Sequence, residues 1–185
     1  MRFNRKQCES ALAGLALCCL LGCSAPVLVG ARRDTMLDRT ADTVQAFKMR
    51  DSGIGKWFDT AFGYAVFPTV GKGAIGVGGA HGSGVVYKQG EPVGSAAMTQ
   101  ATIGLQLGGQ AYTEIIFFQH RAAFDQFTTG NLAFSAQVSA VALTAGASAD
   151  ADYNKGVAVF TMTKGGLMYE ASIGGQKFSY RPFAQ

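Results

Sequence analysis

The chain predicts a mainly β fold of the α+β class: an antiparallel, glycine-rich β-sandwich or barrel carrying N-terminal amphipathic helices and one short helix. Three observations predict it. Glycine recurs at positions 71, 73, 76, 78, 79, 82 and 84, with Val, Ile and Ala between, in the stretch Gly63–Tyr87. Each glycine costs about 1 kcal/mol relative to Ala inside a helix, whereas turns, bulges and close backbone approaches accept it. The stretch also recurs: Gly156–Tyr180, laid over it without a gap, repeats Gly63/Gly156, Ala65-Val66-Phe67/Ala158-Val159-Phe160, Gly73/Gly166, Gly82/Gly175 and Tyr87/Tyr180. This predicts a duplicated strand-turn-strand unit, two arms of one sheet system. Finally, Ala111–Phe118, AYTEIIFF, is rich in β-branched and aromatic residues, and Ala133–Ala147 alternates small polar with apolar residues at a period of two.

Residues 1–22 stand apart from that fold. Arg2, Arg5 and Lys6 form a positive n-region, and Ala11–Leu21 forms an apolar run too short to span a bilayer, which needs about 20 residues. The run ends in Leu20-Leu21-Gly22-Cys23, which resembles the lipobox of bacterial lipoproteins: a small residue before the cut and a thiol just after it, ready for acylation. Cys23 is therefore the expected lipidation site, carrying diacylglycerol and an amide-linked chain such as palmitate. An ordinary signal peptide cut near Ala25 is the alternative. Ser24 in place of Asp implies an outer-membrane destination facing the periplasm in a Gram-negative cell. Stable anchoring takes two chains, each buried CH₂ contributing about 0.8 kcal/mol. Cys8, Cys18 and Cys19 leave with the signal, so no thiol remains for a disulfide or a metal.

The expected mature chain, 23–185, is one domain: a lipidated tether over 23–33, a helical part over 34–62 and a β-rich part over 63–185. Loss of Arg2, Arg5, Lys6 and Glu9 with the signal lowers the formal charge from +4 to +2. That balance argues against a nucleic-acid-binding face.

Asp34–Arg50 reads as an amphipathic helix, with Leu37, Ala41, Val44 and Phe47 at helical spacing. Acids near its start and Lys48 and Arg50 near its end suit the helix dipole. Ile54–Phe62 reads as a second short helix, with Gly63 past its end leading into the first strand. Gln89-Gly90-Glu91-Pro92 is a loop, and Leu105–Gly109 begins a further strand pair. His120–Thr128 is a short helix, 146–155 a polar turn region, and Lys177–Phe183 closes the chain.

Few residues offer chemistry. Gly71-Lys72-Gly73-Ala74-Ile75-Gly76 matches G-x-G-x-x-G, but more glycine follows where a phosphate-binding helix would have to start. His81 and His120 are far apart and have no cysteine or second histidine beside them, so neither a metal site nor, with Ser83, a hydrolytic site is indicated. Asp150 and Asp152 are spaced like calcium ligands without the rest of the loop. No cofactor and no enzyme activity are expected. The basic residues are more suggestive. Arg32, Arg33, Arg39, Lys48, Arg50 and Lys56 lie between the anchor and the first strand, where anchoring would hold them beside phosphate headgroups; Lys72 follows in the glycine-rich stretch. Near an anionic surface each contributes about 1 kcal/mol. Asp34, Asp38, Asp42 and Asp51 oppose them, as on an ordinary solvated helix face.

Ala65-Val66-Phe67-Pro68, Gly73 and Gly78-Gly79-Ala80-His81-Gly82-Ser83-Gly84-Val85-Val86 together resemble the signature of the SYLF domain family, the yeast actin-patch type of lipid-binding domain. Ile103-Gly104-Leu105-Gln106-Leu107-Gly108-Gly109-Gln110 is similar to its G-x-Q-x-G-x-Q segment, and Gly165-Gly166-Leu167 with Gly174-Gly175 to its closing unit. The resemblance spans residues 34–183. It implies a non-enzymatic lipid-binding module with an N-terminal amphipathic helix, here Asp34–Arg50. Eukaryotic members bind phosphoinositides and some bind actin; a periplasm-facing lipoprotein would meet anionic phospholipid such as phosphatidylglycerol or cardiolipin and no actin. Where the family often carries tryptophan after the first glycine-rich unit, this chain has Ser95-Ala96-Ala97-Met98. The expectation is thus a membrane-anchored lipoprotein that binds anionic headgroups through Arg32, Arg33, Arg39, Lys48, Arg50, Lys56 and Lys72. The alternative is an envelope scaffold with a protein partner, whose only lipid contact is the acylated cysteine.

Overall fold

A computed structural model of the chain describes residues 25–130, 133–134 and 140–184. The expected signal segment and Cys23 lie outside the described residues. In chain order the elements are helix α1 (Ala25–Arg50), a 3₁₀ turn (Ser52–Ile54), α2 (Gly55–Thr60), β1 (Gly63–Lys88), β2 (Glu91–Phe118), α3 (Arg121–Thr128), β3 (Ala133–Phe134), β4 (Val141–Ala142) and β5 (Val157–Pro182). The chain divides into two compact units between Thr35 and Met36. The described part of the first unit is the N-terminal stretch of α1, where Thr35 donates its hydroxyl to the Ala31 carbonyl at 2.9 Å. From Ala25 on, the segment expected as a tether is helical.

The second unit, Met36–Gln185, is mainly β. β1, β2 and β5 form an antiparallel ladder in which β2 is central, and the strand order is β1-β2-β5-β3 with β4 parallel to β5. The described sheet is open, not a closed barrel. The two recurring stretches become the two neighbours of β2, each a single continuous strand of 26 residues with a bend where a turn was expected. Residues 97–104, to which the sequence assigns no element, and Leu105–Gly109, expected to begin a further strand pair, together form the middle of β2. Two-residue hairpins punctuate the ladder: Gln89 and Gly90 take φ of 52° and 85° between β1 and β2, the left-handed pair that matches strand twist.

Both faces of the strand ends are buried, which is why their sequences do not alternate polar with apolar. Ala65, Phe67, Ile116, Phe118, Val157 and Val159 face one core, shared with Ala123, Phe124 and Phe127 of α3. Tyr64, Val66, Ile115, Phe117, Ala158 and Phe160 face a second core closed by Phe47 of α1 and by Ile54 and Trp57. The first core also holds Ala80, Val86, Ala96, Met98 and Phe178 from the far ends of the same strands. The sheet therefore doubles back on itself. Gly82 and Gly84 sit where β1 folds back over its own first half: a Cβ on Gly82 would lie 2.8 Å from Val70, and one on Gly84 would collide with the Val66 carbonyl.

α1 docks through a stripe the sequence only half revealed. Ala41 is exposed, whereas Thr40 and Thr43 are buried beside Phe47. Their hydroxyls are satisfied by the Leu37 and Arg39 carbonyls at 2.8 Å, and Thr40 also bonds the Tyr87 hydroxyl. Tyr87 in turn stacks on Tyr64 at 4.9 Å. Of the strand expected over 133–147, the structure shows only the short β3 and β4; residues 145–149 form a turn, within or beside the polar turn region expected over 146–155, and positions 135–139 lie outside the described residues. The turn ties down the helical end of the domain. The Ser148 carbonyl accepts from the Trp57 indole at 3.1 Å, and Asp51 accepts the amides of Ser148 (2.8 Å) and Gly53 (2.9 Å). Burial pushes the Asp51 carboxyl up, but these amides outweigh it and hold it below 3.8. Asp51→Ala strands buried amides, so a loss of about 2 kcal/mol is expected by denaturant titration at pH 7. Because the folded pKa is depressed, the carboxylate's contribution is lost as pH falls through that lowered value, and the gap between variant and parent should narrow in acid. An unchanged unfolding midpoint at pH 7 would contradict this.

Candidate functional site

Pro68 has no amide to give the ladder, and β1 loses register with β2 between Phe67 and Val70. β2 and β5 shift register at the neighbouring position, between Ala111 and Tyr112. The two irregularities open the sheet surface next to α1 and leave a cleft of about 460 Å³. The helix side supplies Arg39, Asp42, Thr43 and Ala46; the sheet side supplies Pro68, Thr69, Thr113, Met162 and Lys164. The Thr113 hydroxyl bridges the irregularity by donating to the Pro68 carbonyl at 3.3 Å. Lys164 donates to the Thr69 hydroxyl at 2.9 Å, which fixes its ammonium at the rim. Arg39 and Asp42 make no salt bridge among the described residues.

Two cations and the Thr69 hydroxyl, which accepts from Lys164 and keeps its own proton to give, suit an anion with several acceptor oxygens, of which a phosphate ester is the plainest case; Thr43 and Thr113 spend their protons on the Arg39 and Pro68 carbonyls. Among the described residues no group of three or more His, Cys, Asp or Glu could hold a metal. Glu114, the neighbour of Thr113, points into the first core instead. It is 1% exposed, and Gln176 donates to its Oε2 at 3.2 Å while Oε1 has no partner. Burial lifts its pKa from 4.5 to about 7 despite the Gln176 bond.

The structure does not gather the cations named from sequence into one site. Arg39 alone of them lines the cleft. Lys48 lies over the Phe58 ring at 5.1 Å; Arg50 and Lys56 are exposed, and Lys72 is half-buried on β1 past Val70. Arg32 and Arg33 are exposed in the N-terminal unit. His120, exposed at the start of α3, caps that helix by accepting the Ala123 amide at 3.3 Å. Lys164 was missed. Its signal lay in the internal repeat, whose offset places Lys164 within one position of Lys72.

This is a glycine-rich, doubled-back β domain with a basic cleft beside an amphipathic helix. The family model described as "Ysc84: Las17-binding protein actin regulator" matches residues 99–184. The chain is also 30% identical over 156 residues to beta cell expansion factor A of Aeromonas veronii, a stretch that is 83% of this chain and 56% of that protein. The chain thus spans just over half the length of that relative. Residues 99–184 thus match the model of the SYLF family, the family that the motifs resemble.

Proposed function

We propose that this chain is a lipid-anchored, non-enzymatic envelope protein whose SYLF domain binds anionic phospholipid headgroups, with Cys23 acylated and the domain held at the outer membrane on its periplasmic side. One observation carries the headgroup reading: the cleft that sets Arg39 of α1 opposite Lys164 of β5, with Thr43, Thr69 and Thr113 between. The guanidinium and the ammonium receive the phosphate, and the Thr69 hydroxyl donates to one of its remaining oxygens. Asp42 disfavours a second negative group. The lipid-binding character of the family in yeast supports the same reading.

The test uses the full chain with Cys23→Ser, so that acyl chains do not mask the domain's own affinity. Flotation with phosphatidylglycerol vesicles is expected to show binding that weakens with salt, with little binding to phosphatidylcholine. Each cation near an anionic surface is worth about 1 kcal/mol, so Arg39→Glu with Lys164→Glu should cut affinity by about ten- to a hundredfold. Lys48→Glu with Arg50→Glu should cost less, because neither residue lines the cleft. No binding to any vesicle would sink the headgroup reading and leave the domain as a scaffold for an envelope protein partner.

A further inference from the structure

Three of the exposed large apolar side chains stand together where the sheet bends. Ile75 is 83% exposed, Val77 69% and Leu107 64%. Ile75 pairs directly with Leu107, and Leu107 with Tyr169; Val77 pairs with Ile103, and Ile103 with Ile173. The register thus places apolar residue types at two cross-strand levels at the crest of the bend, where Ile75, Val77 and Leu107 are exposed. Glycine fills much of the rest. A Cβ added at Gly71, Gly73 or Gly165 would meet nothing within 4 Å, so packing does not require these glycines, in contrast to Gly82 and Gly84. Cations flank the crest on both sides. Lys164 and Arg39 lie at one root, with Lys72 half-buried on the opposite face of β1; at the other root, Lys177 shares a cross-strand row with Thr99 and His81, all three exposed.

We propose that this crest is the element that enters the bilayer, seating its exposed apolar side chains at the boundary between headgroups and acyl chains while the flanking cations meet the phosphates. The proposal rests on the headgroup reading above and assigns the membrane-contacting surface to the sheet rather than to α1. The dimensions fit. Ile75 stands three residues from Lys72, or about 10 Å of strand, and interfacial elements bury about 5–10 Å into the headgroup–acyl boundary. The chemistry fits a lipid surface better than a second copy of the chain or another protein. An apolar crest between two basic flanks complements an anionic interface, whereas a second copy would bring basic flank against basic flank. At the crest β2 pairs with β5 throughout, but its residues 104–106 have no β1 partner, so the seat lies at the hydrated headgroup boundary and not in the hydrocarbon.

Flotation of the full Cys23→Ser chain with phosphatidylglycerol vesicles tests it, using Ile75→Asp with Leu107→Asp as the loss variant and Gly73→Leu as the gain variant. The loss variant is expected to bind at least about tenfold more weakly, and the gain variant about threefold or more tightly, as added apolar area leaves water. Both should keep the parent's thermal midpoint, because the altered positions are exposed. If the loss variant fails to fold, Gly73→Leu decides: unchanged affinity overturns the proposal. Binding of the parent that Arg39→Glu with Lys164→Glu weakens, while the crest variants bind like the parent, overturns the crest and leaves the headgroup reading standing. No binding by the parent overturns both. Loss of self-association in the crest variants with unchanged vesicle affinity would make the crest an interface between copies, and that too overturns the proposal.

Discussion

Gly84→Ala is expected to destabilise the domain by about 3 kcal/mol, lowering the thermal midpoint by about 6–12 °C for a domain of this size. A Cβ at this position collides with the carbonyl of Val66 and approaches Phe67 to 2.9 Å. The obstacle is backbone, so no rotamer change relieves it. The doubled sheet must open locally, and opening it separates Phe67 from Phe178, whose rings lie 5.9 Å apart across the fold. Gly73→Ala is the control. Nothing lies within 4 Å of its added methyl, so the substitution should be neutral or slightly stabilising through the unfolded chain. Thermal denaturation of the two variants side by side separates this account from a general intolerance of the glycine-rich strand. Equal losses at both positions would refute it.

That contrast also shows how far the sequence could be read. The glycine-rich stretches announced strands and close approach, and both are present. What one dimension could not show is that two kinds of glycine are mixed there: those that let β1 fold back over itself and those that merely line an exposed crest. The same limit turned a bent continuous strand into an expected strand-turn-strand unit. Period-two reasoning met its own limit at Ile115–Phe118, where each face has a core and no polar side remains to alternate. On α1 the spacing named Phe47 correctly but took Ala41 for an inward residue. Thr40 and Thr43 hold the buried positions, since their hydroxyls bond helix carbonyls and so enter a core at little cost.

The candidate site was less legible than the fold. Arg39 was named from its place on a helix, but its partner comes from β5, well over a hundred residues later, and only the ladder register brings them to one cleft. Cations close in sequence were grouped, although helix geometry and the Phe58 ring disperse them. The resemblance supplied the family; the register and its two irregularities supplied the cleft. A charge motif in a strand protein is defined by rows across the sheet, and those rows require the pairing.

Glu114→Gln should remove most of the domain's pH dependence between about 5 and 7. Glu114 is fully enclosed, and burial raises its pKa from 4.5 to about 7. The folded state therefore holds its proton more tightly than the unfolded chain. Below 4.5 both states are protonated and the carboxyl costs nothing extra. As pH rises toward 7 the unfolded chain releases the proton first, and stability falls; above 7 the folded domain carries a buried carboxylate with one amide donor and an unpartnered Oε1. The displacement from 4.5 to about 7 is worth about 3 kcal/mol. Glutamine keeps the shape and cannot ionise. Its advantage over the parent should be small at pH 4.5 and grow to about 3 kcal/mol by pH 8. Denaturant titrations of both chains at several pH values measure that difference directly, and contributions common to both, such as Asp51, cancel. Parallel stability–pH curves would mean that Glu114 is not the group that titrates, and that Gln176 or water satisfies its carboxylate better than the geometry shows.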